Sequence, residues 1–179
     1  MKIAHSVYQP YWQNLSLAKI DQQMAAMPVS GTIDTINWKE QYPIAPETKF
    51  TLAHTDEMFY VRFEVKGEVP LSTKTNDLEL VNEDACVEIF IGDKDNTHYW
   101  NFEFNCIGTV NSSHRETREN PSRLTDAEID QIKRYASCGT RPFKEMEGLF
   151  SWNLLIAIPF SLIGIDINDM PEKITGNFY

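Results

Sequence analysis

Between Glu83 and Val110 the chain runs EDACVEIFIGDKDNTHYWNFEFNCIGTV, two apolar and aromatic stretches around the polar linker Gly92–His98. β-branched and aromatic runs flanking a turn-rich linker predict a β-hairpin with a longer loop. Side chains alternate between faces along a strand. On the first strand Val87, Ile89 and Ile91 share one face, and Cys86, Glu88 and Phe90 the other. On the second, Trp100, Phe102, Phe104 and Cys106 share a face, opposite Tyr99, Asn101, Glu103 and Asn105. The two apolar sets must lie together, since a one-residue slip would turn Glu88 and Glu103 into the core. That leaves a second face carrying Glu88, Asn101, Glu103 and Asn105, framed by Phe90 and Tyr99, with Glu88 expected opposite Asn101. Carboxylates and amides interleaved with aromatic rings on rigid strands suit a ligand rich in hydroxyl groups. The competing reading is a solvated outer face with two incidental carboxylates.

The rest of the chain predicts more of the same architecture. Ser16 is placed to cap a short helix with Leu17, Ile20, Met24 and Met27 at helical spacing. Ile33–Trp38 reads as a short extended segment with Trp38 as a core anchor. Phe50 and Leu52 then lead into a second hairpin turning at Thr55-Asp56-Glu57. Its return strand, from Met58, turns Phe59, Val61, Phe63 and Val65 inward and Tyr60, Arg62 and Glu64 outward. Residues 67–82 form a long polar loop, a length that in a compact domain is often functional. Residues 111–123, NSSHRETRENPSR, lack apolar periodicity and read as charged loop. Thr125 and Glu128 have capping-box spacing, and Ile129, Ile132 and Tyr135 predict a helix running to Tyr135. Phe150–Ile158 alternates as a strand that Pro159 stops, PFSLIG reads as a tight helical turn, and Ile174–Tyr179 as a final strand. Hairpins with one or two inserted short helices imply an all-β, mainly antiparallel sandwich.

A chain of 179 residues suits one domain spanning 1–179. The formal net charge of −10 argues against nucleic acid or an anionic membrane as partner. No stretch is long and uncharged enough to span a bilayer. The amino terminus lacks the apolar core of a secretory signal, which places the chain in the cytoplasm unless a leader was removed. Three cysteines without CxxC spacing, and four scattered histidines, give neither a disulfide framework nor a metal motif. No GxSxG, HExxH or phosphate-loop motif occurs. Glu88 and Glu103 could in principle serve as acid and base in glycoside hydrolysis, but on an open sheet both would stay ionised.

In order along the chain, DEMFYVRFEVKG, EDACVEIFI, YWNFEFNCIGT, IKRYAS, FSWNLLIAIPFSLIG and NFY resemble segments of the family 9 carbohydrate-binding modules and the stand-alone bacterial proteins similar to them. The resemblance covers residues 33–179. It implies a β-sandwich that binds a mono- or oligosaccharide without catalysis, in polysaccharide utilisation. Carried over by position, Glu88 matches an acidic sugar-contacting residue, and Glu103 and Asn105 match polar groove positions, where family members often place a basic residue at the site of Glu103. Asn82 stands where the family often has a tryptophan of its aromatic platform. Arg62 is a further candidate neighbour of the ligand. Some members hold structural calcium, for which Asp93 and Asp95 are the candidates here. The chain ends at Tyr179, where resembling proteins continue, so Ile174–Tyr179 is expected at a sheet edge open to a second copy as a homodimer. Two alternatives remain: a glycoside hydrolase or fragment using Glu88 and Glu103, and a structural domain that has lost sugar binding.

Overall fold

A computed structural model describes residues 2–36, 40, 46–68, 70–146 and 148–179. Two sheets face each other. The first joins β1 (Val7–Tyr8), β2 (Gly31–Ile33), β3 (Glu47–His54), β4 (Met58–Glu68), β9 (Lys133–Ala136) and β10 (Phe150–Pro159) in the order β1-β3-β4-β10-β9, with β2 also paired to β3. The second joins β5 (Cys86–Gly92), β6 (Tyr99–Asn105), β7 (Val110–Arg115), β8 (Pro121–Arg123) and β11 (Gly176–Phe178) in the order β11-β5-β6-β7-β8. All pairings are antiparallel except β1 with β3. The expected β-sandwich is the architecture observed.

The core follows from the alternation. Phe50, Leu52, Phe59, Val61, Phe63 and Val65 meet Val87, Ile89, Ile91, Phe102 and Phe104, and the inward set of β10 joins them. The other face of β10, Leu155 and Ala157, is buried as well, under α1 (Leu17–Ala25) with Trp12, Ile20, Met24 and Tyr60. Ser16 caps α1 by accepting from the Lys19 amide. Covering both faces of β10 explains why it is apolar on both.

Two local readings are corrected. The segment after Thr125 keeps its capping box, but α2 is a single turn, Asp126–Ile129, and Tyr135 lies in β9. Ile129 and Ile132 are both buried, and a turn followed by a strand buries them as well as a helix would. Residues 111–123 are not loop throughout: they hold most of β7 and all of β8, which pair with each other. After Val110, the inward positions of β7 are filled by Ser112 and His114, so no apolar alternation marks residues 111–115. Trp38 lies outside the described residues.

Candidate sugar-binding face

The outer face of the five-stranded sheet is built by register. Glu88 lies opposite Glu103, and Glu103 opposite Asn111. Tyr179 joins that row by exchanging backbone hydrogen bonds with Glu88. In the adjacent row Asn177, Phe90, Asn101, Ser113 and Arg123 succeed one another. Tyr99 and Arg115 follow in the third. The four polar residues of the hairpin therefore share one face, with Val87, Ile89, Phe102 and Phe104 buried behind. The expected register is two residues out: Glu88 faces Glu103, and Asn101 faces Phe90. Alternation sets which face a residue takes but not its partner, and the seven-residue linker allows either closure.

The middle of the face is sunken. Asn101 and Ser113 are each 3% exposed, while Asn177 and Arg123 at the margins are exposed. Phe90 contacts both Tyr99 (ring centroids 6.1 Å apart) and Tyr179 (6.4 Å), forming an aromatic line beside the carboxylates. β11 reaches this position because its first residue is glycine: a Cβ on Gly176 would lie 2.9 Å from the Phe90 carbonyl oxygen.

Electrostatics single out Glu88. Burial, and then the Glu103 charge beside it, push its carboxyl up to about 7. Arg115, the Asn101 amide and Arg118 pull the other way without offsetting them. Among the described residues the Glu88 carboxylate has no ion pair, and the Asn101 Nδ2 beside it is buried without a hydrogen-bond partner of ordinary geometry. Glu103, among the described residues, accepts only from Asn111 Nδ2, at 3.2 Å. Arg115 donates to Ser113 Oγ (2.7 Å) and to the Arg118 carbonyl (3.1 Å), which leaves three of its five N–H groups for a ligand.

The other expected residues separate. Asn105 is on the face but fully buried, and it is structural. Its Nδ2 shares its hydrogens among Ser72 Oγ, the Lys74 carbonyl and Asp84 Oδ2, and its Oδ1 accepts from the Thr109 amide. Asp84 also accepts from the Thr73 amide and hydroxyl and the Lys74 amide. Together they lash the loop after β4 to the end of the face. Asn82 is exposed on the turn Val81–Glu83, which packs on β6 and β5 at that end. Arg62 is elsewhere: it lies in the other sheet, 8% exposed, paired to Asp21 at 2.8 Å. Strand alternation gave its side but not its sheet. Asp93 does not fit a calcium ligand, since its oxygens accept from the Thr97 amide and hydroxyl and the His98 amide. Among the described residues no three His, Cys, Asp or Glu side chains are grouped to hold a metal ion.

Asn111, Ser113, Arg115 and Tyr179 were missed. The signal available was the alternation of Asn, Ser and Arg in NSSHR, hidden by the polar residues between them. One hollow of about 540 Å³ lies beside Met58 and Ile165, and another of about 530 Å³ beside Ile33 and Val65 reaches Cys86 and Tyr179 at the end of this face. Neither takes in Glu88, Asn101 or Glu103.

The model of carbohydrate-binding family 9 matches residues 18–179. The chain belongs to that family. A candidate carbohydrate-binding protein from Bacteroides uniformis ATCC 8492 superposes with a TM-score of 0.83 at 27% identity, covering 97% of this chain and 81% of that one. A family 9 module from Caldicellulosiruptor kristjanssonii, solved in complex with glucose, aligns at 13% identity with a TM-score of 0.49, covering 97% of this chain and 76% of that one. No curated protein matches the chain. Among the described residues no helix is long and apolar enough to cross a membrane.

Proposed function

We propose that the outer face of the five-stranded sheet binds a mono- or oligosaccharide without turning it over, as a step in polysaccharide utilisation. The observation that carries this is the sunken row of Asn101 and Ser113 flanked by Glu88, Glu103 and Arg115. It offers acceptors and donors unpaired within the protein, with Phe90, Tyr99 and Tyr179 beside them. Sugar hydroxyls supply both halves of each missing hydrogen bond, and bonds to charged groups are the stronger kind. Aromatic rings add apolar contact to a sugar ring. Membership of a carbohydrate-binding family, and the likeness to the Bacteroides protein, support the same reading. Calorimetry against monosaccharides, xylan and glucan is expected to show saturable binding that Glu103→Gln weakens about tenfold, the loss of one charge-assisted hydrogen bond. Release of reducing ends from xylan or glucan, abolished by Glu88→Gln, would make the pair catalytic and overturn the non-catalytic reading.

The same sheet carries the expectation of self-association. Among the described residues β11 is the end strand of its sheet and pairs only with β5, and an end strand is a template for pairing with another chain. A second copy adding there would form a homodimer, and sedimentation showing a monomer at high concentration would contradict it.

A further inference from the structure

We propose that the sugar taken by this face is an amino sugar, its ammonium group seated between Glu88 and Glu103. This rests on the sugar-binding reading and goes beyond it by naming the ligand class. Like charges directly opposite on adjacent strands oppose folding, and opposed Cβ atoms stand only about 4.5–5.5 Å apart. Such a pair is usually relieved by a cation from the protein. Here no direct ion pair does so: among the described residues neither carboxylate has one, Glu103 accepts from the neutral Asn111 amide, and Arg115 and Arg118 act on Glu88 only at longer range.

The arginines nearby do not fill the role. Arg115 turns two of its N–H groups to Ser113 Oγ and the carbonyl of Arg118 and, among the described residues, makes no ion pair with either carboxylate. The charges facing Glu88 are Glu103 from β6, Arg115 from β7 and Arg118 from the β7–β8 turn, with the Cys86 thiol on its own strand. Tyr179 of β11 lies alongside. Despite both arginines, burial and Glu103 together hold the Glu88 carboxyl near neutrality. Of the two causes, the Glu103 charge is the one that favours an ammonium there as it favours a proton.

A second observation comes from Asn101. Its side chain is nine-tenths buried on this face beside Glu88, and its Nδ2 makes no hydrogen bond of ordinary length and angle among the described residues. That donor, and the remaining N–H groups of Arg115, call for ligand oxygens. A bare metal ion would supply none, and it would need six or more oxygen ligands where the face offers two carboxylates. One molecule carrying both an ammonium group and several hydroxyls satisfies the whole set. Phe90, Tyr99 and Tyr179 add aromatic surface, which attracts cations as well as sugar rings.

The test is calorimetry of the full chain with glucosamine, glucose and N-acetylglucosamine near pH 7, repeated near pH 5. Glucosamine is expected to bind at least about tenfold more tightly than glucose near pH 7, since each charge-assisted bond is about twice as strong as a neutral one. N-acetylglucosamine, which lacks the charge, should bind no more tightly than glucose. The preference should shrink near pH 5, where Glu88 takes up its proton, and in Glu103→Gln at either pH. Glucose and glucosamine binding equally well would overturn this inference and leave the sugar-binding face standing. Binding of neither sugar would overturn both.

Discussion

On the outer face of the six-stranded sheet Arg62 is buried beneath α1 and is ion-paired with two carboxylates. Asp21 accepts from its Nε at 2.8 Å, Glu64 lies 3.4 Å from its Nη1, and Asn153 donates to the same Asp21 oxygen. On the outer face of the five-stranded sheet Glu88 is half-buried and faces another carboxylate, with an unpartnered Asn101 amide beside it. No helix covers it. Both faces arise from strands that alternate apolar and polar residues, and both set charge in a partly dehydrated place. The difference shows what each is for. A compensated buried charge belongs to the scaffold, because removing one partner costs more than the pair contributes. An uncompensated one is a standing cost, retained where a ligand supplies the missing partner.

Substitutions can break this contrast. The largest effect is expected where the open face is anchored. Asp84→Ala removes the acceptor of four protein hydrogen bonds, for a loss of about 3–5 kcal/mol. Urea unfolding would measure it, and a loss below about 1 kcal/mol would show that the loop after β4 is not held as described. On the covered face, Asp21→Ala leaves Arg62 buried with only the longer Glu64 contact. It should cost about 3 kcal/mol and leave sugar affinity unchanged. A change in sugar affinity there would dissolve the distinction between the faces.

The third prediction inverts the sign. Because the folded pKa of Glu88 is raised from 4.5 to about 7, the folded state holds more protons than the unfolded state in that window. The associated stability is fully present below about pH 4.5 and is lost as pH rises through about 7. A shift of that size corresponds to at most about 3 kcal/mol, and partial exposure reduces it to about 1–3 kcal/mol. Glu88→Gln should therefore gain that amount relative to the parent at pH 8 compared with pH 4.5, as read by thermal or urea unfolding at both. An equal effect of the substitution at both pH values would mean that Glu88 is not under strain. The smallest effect is expected at the rim, where Tyr99→Ala should leave the fold intact and weaken sugar binding by about 0.5–1.5 kcal/mol, about threefold to tenfold.

How far these contrasts were legible in the sequence differs by residue. Alternation placed Glu88, Asn101, Glu103 and Asn105 on one face, because a half-buried strand can be read no other way. It could not show that Asn105 is consumed by Asp84 and Ser72, since those partners arrive from a loop some twenty to thirty residues earlier. Nor could it tell Arg62's sheet from Glu88's, because which strands share a sheet depends on long-range pairing. β7 was invisible for a different reason: Ser112 spends its inward position on a hydrogen bond to the Asn101 carbonyl, so the strand lacks the apolar half of its pattern. The stripe through Ile129 and Ile132 was real, but one turn of helix and a β-strand satisfied it together.

The central claim, that ligand meets the five-stranded sheet and not the helix-covered face, is tested most directly by a ¹⁵N–¹H NMR titration with glucose or glucosamine. The account predicts saturable shifts in the Asn101 side-chain amide and in the backbone amides of Glu88, Glu103 and Ser113, with Tyr60, Arg62 and Asn153 unmoved. Shifts centred on Arg62 and Asn153, with the Asn101 amide unchanged at saturation, would contradict it.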